Sequence, residues 1–389
     1  MKILHITPAY VPAYRYGGPI RVVHEMNKWL VKLGAEVTVY TTNVDGPNVL
    51  DVPLGKAVIM DGVRVFHFPT SFPRSWFNSA EMNKAMKENI KDFDLVHITS
   101  AFLAASYFGS KYAREAGVPY IISPRGNFMK NTFHKHYLKK KIYTELIEKN
   151  ALQGAAAIHF TAEAEREEYV AEKLPLSRAI ISPNGVDEES FKEISPKGAF
   201  RRKFGFNKER LILFLGRISW KKGFDTLIPA MAEVVKEIPD ALLVVAGGDD
   251  EGYQKEVENF AERYGIQNKV RFLGMLLGED KNGALLDSDV FVLPSYSENF
   301  GNAVVEAMYL SLPVLITPGV AISAEIAEAG AGMVVPKETS KLAESLKLLL
   351  LNREIRQKLA GNGKKLVMAR FFWPEIVRHL LLEYKRLIS

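Results

Sequence analysis

The 389-residue sequence has no cysteine, so the chain can form neither a disulfide nor a thiolate metal site. It also lacks a long apolar run, because no segment approaches the ~20 residues that a helix needs to cross a bilayer. The apolar stretch after Lys2 is interrupted by His5 and ends before Pro8, which is too short for a signal peptide. We therefore expect no thiol redox chemistry, no integral membrane role and a cytoplasmic location.

A strong excess of one charge is absent as well. Lysine and arginine number 51 and aspartate and glutamate 45, which gives a net charge of +6. This mild excess suits anionic partners without indicating nucleic-acid binding. Hydrophobic residues make up 47% and charged residues 25%, which excludes disordered and fibrous classes. The chain is about 2.6 times as long as a typical domain of ~150 residues, which predicts two domains.

Short apolar runs alternate with amphipathic stretches along the chain, which is typical of parallel sheets whose strands are joined by helices. In the first half we predict strands at 3–6, 36–41, 95–98, 120–122 and 156–160, and helices at 21–33, 101–116 and 139–152. In the second half we predict strands at 211–215, 241–246, 270–272, 290–293, 313–316 and 333–335, and helices at 225–237, 253–264, 302–310, 321–329 and 340–351. The stretch 183–196 is the predicted linker. Ligands of such doubly wound α/β domains gather beyond the carboxyl ends of the strands.

The loop after the first strand of the second half is basic. Arg217 and Lys222 lie in a segment that Gly216 and Gly223 bound. Arginine offers a planar fork for paired phosphate oxygens and lysine adds a mobile charge, a combination that suits a leaving diphosphate. A solvated basic loop explains the same pattern equally well.

A second loop follows the predicted strand 290–293 and leads into a helix. Gly301 allows a ligand to approach backbone amides whose dipoles favour phosphate. Glu298 falls in the loop and Glu306 about one turn into the helix, so both can hold hydroxyl groups. The alternative makes Glu298 a cap and Glu306 a member of a partly buried ion pair. Three further polar residues can cap the helix: Ser297, Asn299 and Asn302.

The turn after the first strand contains Gly17 and Gly18, and adjacent glycines permit close backbone approach. It does not match the G-x-G-x-x-G nucleotide pattern, so by itself it indicates only a βα turn.

We predict no bound metal. The acidic pairs with the spacing of cation ligands each precede an apolar strand, where acidic residues commonly end a helix connection: Asp92 with Asp94, and Asp287 with Asp289. His134 and His136 are too few for a zinc site. The simplest interpretation of the basic stretch from Lys135 to Lys141 is a solvated surface. The alternative is contact with an anionic acceptor or with anionic lipid, peripherally at the inner face of a membrane.

Together these motifs resemble the retaining, nucleotide-sugar-dependent glycosyltransferases of family 4, also called glycosyl transferases group 1. The resemblance runs nearly end to end and rests on Tyr16-Gly17-Gly18, Pro183-Asn184-Gly185-Val186-Asp187, Gly216-Arg217 with Lys222, Ala246-Gly247-Gly248, Phe272-Leu273-Gly274, and Ser297-Glu298-Asn299-Phe300-Gly301 through Glu306. It implies an α/β GT-B fold of two doubly wound, Rossmann-like domains that face an interdomain cleft. The implied acceptor-binding domain is 1–190, joined by a C-terminal helix at 373–389, and the implied nucleotide-sugar-binding domain is 191–372.

The resemblance also implies roles for the motif residues. Arg217 and Lys222 would hold the donor diphosphate and Glu298 the transferred sugar, and these three would carry the catalysis. Glu306 would hold the ribose hydroxyls. Family members commonly read the base through backbone near the position of Met275, and we expect UDP. The remaining implied donor site consists of Gly17, Gly18, Gly216, Asn299, Phe300 and Gly301. The nucleotide sugar is a substrate, so no cofactor is expected.

One position departs from the family pattern. Many relatives carry a His-Gly pair after the fourth or fifth strand of the first domain, whereas this sequence reads Arg125-Gly126-Asn127. Arginine stays protonated and cannot be a general base, so we expect Arg125, with Asn127, on the acceptor side or at the phosphates.

Fixed cations can stabilise a leaving diphosphate without a metal. The resemblance accordingly implies a metal-independent, retaining hexosyltransferase, in which a donor phosphate oxygen takes the proton of the acceptor. The acceptor would be a carbohydrate, a sugar phosphate or a lipid-linked sugar. Two alternatives stay open, namely a sugar-nucleotide-binding scaffold without catalysis and a phosphorylase or epimerase on the same fold.

Overall fold

The computed structural model describes residues 1–134, 137–192, 194–249 and 252–389. The chain divides into two compact units, one of Met1–Asn184 with Trp373–Ser389 and one of Gly185–Phe372. The change of unit falls inside the predicted linker, somewhat before residue 190. The C-terminal segment belongs with the N-terminal half of the chain.

Strands and helices are numbered in chain order. The strands of the first unit are β1 Lys2–Ile6, β2 Glu36–Thr42, β3 Val44–Asp45, β4 Asn48–Val49, β5 Ala57–Met60, β6 Val63–Phe68, β7 Leu95–Thr99, β8 Tyr120–Ser123, β9 Ala157–Phe160 and β10 Ala179–Ile181. Those of the second unit are β11 Arg210–Leu215, β12 Ala241–Ala246, β13 Val270–Gly274, β14 Val290–Leu293, β15 Val314–Ile316 and β16 Met333–Val334.

The first unit contains the helices α1 Gly18–Lys32, α2 Ala80–Asn89, α3 Ala104–Ala116, α4 Lys130–Phe133, α5 Tyr137–Tyr143, α6 Lys149–Gly154, α7 Glu163–Ala171 and α16 Trp373–Ile388. The second contains α8 Ala199–Phe204, α9 Phe224–Glu237, α10 Gln254–Arg263, α11 Gly278–Asp287, α12 Asn302–Tyr309, α13 Ser323–Glu328, α14 Thr339–Leu351 and α15 Arg353–Arg370. Within the described ranges, none of these helices has the length and apolar character needed to traverse a bilayer.

The first unit is built on an eight-stranded sheet in the order β10-β9-β8-β7-β1-β2-β6-β5. All neighbours in it are parallel except β5 and β6, which form an antiparallel pair. Successive residues of β1 enter different core clusters, with Ile3 beside α1 and α16 and Leu4 beside α2 and α3. The sheet is therefore covered on both faces, which explains its nearly continuous apolar strands.

The second unit is a six-stranded, fully parallel sheet in the order β13-β12-β11-β14-β15-β16. The strand order reverses between β11 and β14, because β12 and β13 lie on one side of β11 and the later strands on the other. Such a reversal is where open parallel sheets bind ligands. The two loops with the strongest sequence motifs follow these two strands.

The sequence analysis missed several elements. Strand β6 alternates buried and exposed residues near its start, as an edge pair does, and β5 is only partly buried. Helix α15 has Gly361 and Gly363 in its interior and a weak apolar stripe. The predicted helix at 101–116 begins instead at Ala104, because Ser100 and Phe102 have left-handed backbone conformations with φ of 81° and 66°.

Candidate functional site

The loop after β11 is tied to the neighbouring strand end. The N–H of buried Ile218 donates to the carbonyl of Gly248 at 2.9 Å, and a 3₁₀ turn at Trp220–Lys222 leads into α9. Arg217 is exposed next to this anchor, and its guanidinium makes no hydrogen bond or ion pair with any described residue. The loop thus presents one cation to solvent from a fixed backbone.

Two glycines bring the loops of this sheet edge into backbone contact. A Cβ on Gly223, whose φ is 75°, would lie 2.1 Å from the carbonyl oxygen of Pro294. A Cβ on Gly247 would lie 1.9 Å from the carbonyl oxygen of Gly216. The loops after β11, β12 and β14 therefore hold one another at a spacing that no larger residue would allow.

Lys222 and Glu298 form an ion pair across two of these loops, and both side chains are mostly buried. The backbone of Glu298 is fixed by the loop after β15. Its N–H donates to the carbonyl of Gly319 at 2.8 Å, and its carbonyl accepts from the N–H of Ala321 at 3.1 Å. Two of the three predicted catalytic residues are thus in direct contact, and each carries charge that the other balances.

Helix α12 begins at Asn302, with Gly301 as its N-cap at a φ of 97°. The N-cap position is therefore not occupied by Ser297, Asn299 or Asn302, contrary to what the sequence led us to expect. The reason is that the cap position falls on a residue without a side chain. The N–H groups of the first turn keep their partial positive charge, which favours an anion.

The side chain of Phe300, the residue before the N-cap, belongs to the core. It is buried and lies edge-on to Phe371, with ring centroids 5.6 Å apart. Phe300 therefore anchors the loop in the core, and any contact with a donor would come from its backbone.

Glu306 is held by a residue that the sequence analysis missed. Its Oε1 lies 2.8 Å from Nζ of Lys281 in α11. Lys281 is buried, and its ammonium lies 5.8 Å from the ring centroid of Phe191. The ion-pair alternative for Glu306 is thus present in the structure. No local signal points to Lys281, because it is 25 positions from its partner in the sequence.

Met275 follows β13 directly and is exposed, after Gly274 with a left-handed φ of 66°. The carbonyl of Gly274 accepts the N–H of Gly247 at 2.8 Å. Met275 therefore leaves the same sheet edge as the loops described above.

In the first unit, α1 starts at Gly18 with Gly17 as its N-cap at a φ of 79°. The N–H of Gly17 donates to the carbonyl of Tyr14 at 2.9 Å, which closes a 3₁₀ turn before the helix. Gly17 has no side chain that could cap the helix. Pro19 lacks an N–H and the N–H of Ile20 donates to the carbonyl of Gly17 at 3.3 Å, so among Gly18, Pro19 and Ile20 only Gly18 can present its N–H to an anion.

The carboxyl ends of β7 and β8 concentrate unusual backbone. Ser100, Phe102 and Arg125 have φ of 81°, 66° and 51°, although none is a glycine. Such conformations cost on the order of 1–3 kcal/mol each and cluster at functional sites. Asn127 joins the two strand ends, because its Oδ1 accepts from Ser100 Oγ and from the N–H of Ala101, both at 3.2 Å.

The guanidinium of Arg125 is surrounded by groups of its own unit. Its Nη1 donates to Asn184 Oδ1 at 2.6 Å. Burial lowers the pKa of Arg125, and the carboxyl of Glu165 opposes that shift. Contact of Arg125 and Asn127 with an acceptor stays a prediction, and both residues have structural partners.

Three buried histidines lie on β1, β7 and β9 of the same sheet, with β8 between the last two. The His5 and His97 rings stack at 4.3 Å, and the His159 ring lies 5.4 Å from that of His97. His97 Nδ1 is 2.8 Å from the hydroxyl of Tyr384 in α16. Burial, together with a smaller effect of the charge of Arg125, lowers the pKa of His5 to about 4 and that of His159 to about 3.

Three of the four acidic residues considered as metal ligands have other partners. Asp94 accepts the N–H of Lys2 at 2.7 Å. Asp287 accepts the N–H of Gly198 at 2.6 Å, and Asp289 pairs with Arg201 at 2.9 Å. No group of three or more His, Asp or Glu side chains suited to a metal occurs among the described residues. His134 pairs with Glu172 at 2.8 Å, while Lys135 and His136 lie outside the described residues.

Two family models match consecutive parts of the chain. Residues 16–190 match the model described as Glycosyltransferase Family 4, and residues 196–366 match the model described as Glycosyl transferases group 1. Together they span most of the sequence. The protein belongs to the family 4 glycosyltransferases and is a transferase of the GT-B type.

Individual proteins agree with this assignment. An uncharacterized glycosyltransferase of Methanocaldococcus jannaschii is 25% identical over 99% of this chain and 98% of its own length. A phosphatidyl-myo-inositol mannosyltransferase of Mycobacterium leprae is 29% identical over 54% of each chain. The structure of Anabaena HepE in complex with UDP-glucose is similar with a TM-score of 0.78, at 20% identity over 99% of this chain and 100% of that one.

Proposed function

We propose that the protein transfers a hexose from a UDP-sugar to a hydroxyl group of an acceptor and retains the configuration at the anomeric carbon. One arrangement carries the proposal. Exposed Arg217, the Lys222–Glu298 ion pair and the uncapped start of α12 all leave the sheet edge where the strand order reverses. This concentration of cationic and N–H groups suits a diphosphate.

The choice of donor is supported by the comparison with HepE, whose structures contain UDP and UDP-glucose. In our proposal Glu306 accepts hydrogen bonds from the ribose hydroxyls, and the backbone near Met275 contacts the base. Gly216, Asn299, Phe300 and Gly301 contribute backbone to the donor site, whereas contact of Gly17 and Gly18 with the donor stays a prediction.

The chemistry that we propose breaks the bond between the anomeric carbon and the phosphate oxygen. Negative charge develops on the leaving diphosphate, where Arg217 and Lys222 stabilise it, while the sugar gains oxocarbenium character. Glu298 holds the transferred sugar. The acceptor oxygen bonds to the anomeric carbon on the face that the phosphate leaves, and its proton passes to a phosphate oxygen. No protein nucleophile or metal ion takes part.

We place the acceptor on the first unit, beside the strand ends that carry Ser100, Phe102 and Arg125. The strained backbone at these three positions supports this placement. The acceptor classes are a carbohydrate, a sugar phosphate and a lipid-linked sugar.

The first test is a thermal-shift screen of UDP-, GDP- and ADP-sugars, because a ligand that binds only the folded state raises its stability. Acceptors are then screened by product mass, and NMR of the product reads the anomeric configuration. An inverted product, or no turnover of any nucleotide sugar even by hydrolysis, would contradict the proposal.

The second test is substitution of the cations. Arg217→Ala or Lys222→Ala should lower turnover at least ~100-fold, the scale seen when one transition-state donor is lost. Arg271→Ala and Lys208→Ala change the same residue types elsewhere in the second unit and are matched controls. Addition of a chelator should leave the rate unchanged, and a strict Mg²⁺ requirement would overturn the metal-free mechanism.

A further inference from the structure

The helical segment from α5 to α6 has a well-anchored inner face. A π-helical turn, Thr144–Glu148, connects α5 and α6 into one continuous segment. Thr144, Glu148 and Leu152 are buried along it, and Tyr143 receives a hydrogen bond from Trp76 Nε1 at 3.2 Å. This face already supplies the contacts that hold the segment on the first unit.

The outer face of the same segment is apolar although it faces solvent. Leu138, Ile142 and Leu146 are 69%, 52% and 72% exposed. Their spacing of four residues places them in one row along a helix. An amphipathic helix normally turns its apolar stripe to the core, whereas this segment carries a second stripe outside. A contiguous exposed apolar row of this kind marks an interaction surface.

Lysines accompany this row. Lys139 and Lys141 are exposed on α5, and Lys141 Nζ lies 5.4 Å from the ring centroid of Tyr137. Lysine stems can lie along apolar surface while their ammonium groups reach outward. Leucine and isoleucine in a row with flanking lysines are the composition of a helix that lies in the interface of an anionic membrane.

We propose that the row Leu138, Ile142 and Leu146, together with Lys139 and Lys141, docks the first unit on an anionic lipid bilayer. The apolar side chains enter the boundary between headgroups and acyl chains, and the ammonium groups meet lipid phosphates. The lysines next to the row favour anionic lipid as the partner over a second copy of the chain. A dimer formed through this face would bring the lysines of both copies together, and like charges repel.

The proposal is tested by flotation of the full-length protein with vesicles of phosphatidylcholine alone and vesicles that also contain phosphatidylglycerol. We expect binding to the mixed vesicles that weakens as salt is raised, because salt screens exposed charges. Each lysine near an anionic surface strengthens binding about fivefold, so Lys139→Glu with Lys141→Glu should weaken it at least ~30-fold. Serine at Leu138, Ile142 and Leu146 should abolish flotation.

Matched controls come from the rest of the chain. Serine at Ile59, Leu351 and Leu382 replaces equally exposed apolar residues, and Lys358→Glu with Lys365→Glu makes the same change of charge in the second unit. Both controls should float like the unmodified protein. Absence of flotation, equal binding to neutral vesicles, or an unchanged result for the triple serine variant would overturn the proposal. A dimer in gel filtration that the triple serine variant converts to monomer would assign the face to a second copy instead. Neither assay uses a donor sugar, so the outcome is independent of the proposed transfer reaction.

Discussion

Nζ of Lys281 lies 2.8 Å from Oε1 of Glu306 and joins α11 to α12. The pair is mostly buried, so the carboxylate is held in one place by a charge-assisted hydrogen bond. If Glu306 binds the ribose, Lys281 is a positioning residue for the donor site.

We expect Lys281→Met to raise the KM for the donor about 10-fold with little change in kcat, because uniform binding is lost. The variant should also lose on the order of 1–3 kcal/mol of stability, since a mostly buried carboxylate is left without its partner. The double variant Lys281→Met with Glu306→Gln should regain part of this stability but not the KM. An unchanged KM in Lys281→Met would show that the pair serves stability alone.

Gly223 joins the two loops that carry Lys222 and Glu298. Its φ is 75°, and a Cβ would lie 2.1 Å from the carbonyl oxygen of Pro294. Gly205 has the same φ of 75° with nothing within 4 Å of a Cβ, so it isolates the backbone strain from the clash.

Gly205→Ala should therefore cost about 1 kcal/mol and leave kcat/KM intact. Gly223→Ala should cost more and lower kcat/KM at least ~10-fold, because the loops must separate. Denaturant midpoints and steady-state rates of the two variants give the comparison. If Gly223→Ala and Gly205→Ala lose the same stability, the two loops can move apart to accept the Cβ at no energetic cost.

The parts of the site that could be predicted from sequence are those encoded within one loop. Arg217 and Lys222 share a glycine-bounded loop, and Glu298 and Gly301 share another, so short spacing was enough to single them out. The sheets were predicted because parallel strands buried on both faces read as apolar runs. The partner of Glu306 and the surroundings of Arg125 depend on contacts between distant segments, which no local pattern encodes. The β5–β6 pair was missed for a different reason, namely its partial exposure.

As the pH is lowered, the first unit should lose stability at a higher pH than the second unit. The pKa of His5 is lowered to about 4 and that of His159 to about 3, and burial also lowers that of His97. Above pH 6.5 these histidines are neutral in both the folded and the unfolded chain. Below pH 6.5 they bind protons in the unfolded chain but stay neutral in the folded chain. Stability should thus fall as the pH drops from 6.5, by on the order of 1.4 kcal/mol per unit for each histidine.

Residues 185–372 contain no histidine, so the second unit is an internal control. Amide hydrogen exchange, corrected for its intrinsic pH dependence, should show loss of protection in β1, β7 and β9 between pH 6.5 and 5. Strands β11 and β12 should keep theirs. A parallel loss in both units would exclude the histidines as its cause.

The carboxyl of Glu148 should act in the opposite direction. Burial raises its pKa to about 7, against weaker lowering by hydrogen bonds from Ser106 Oγ and the N–H of Phe102. Below pH 4.5 the group is protonated in both states, so it contributes no pH dependence there. Between 4.5 and about 7 the unfolded chain releases a proton that the folded chain retains, and stability declines as the pH rises.

Glu148→Gln removes this titration without removing the side chain. The stability of the variant relative to the unmodified protein should therefore rise between pH 5 and 8 by on the order of 3 kcal/mol. The histidines are common to both proteins and cancel in this difference. Glu145→Gln, on the exposed side of the same turn, measures the effect of removing one negative charge. Difference curves that are flat with pH for Glu148→Gln would mean that the carboxyl ionises in the folded protein as readily as in the unfolded chain.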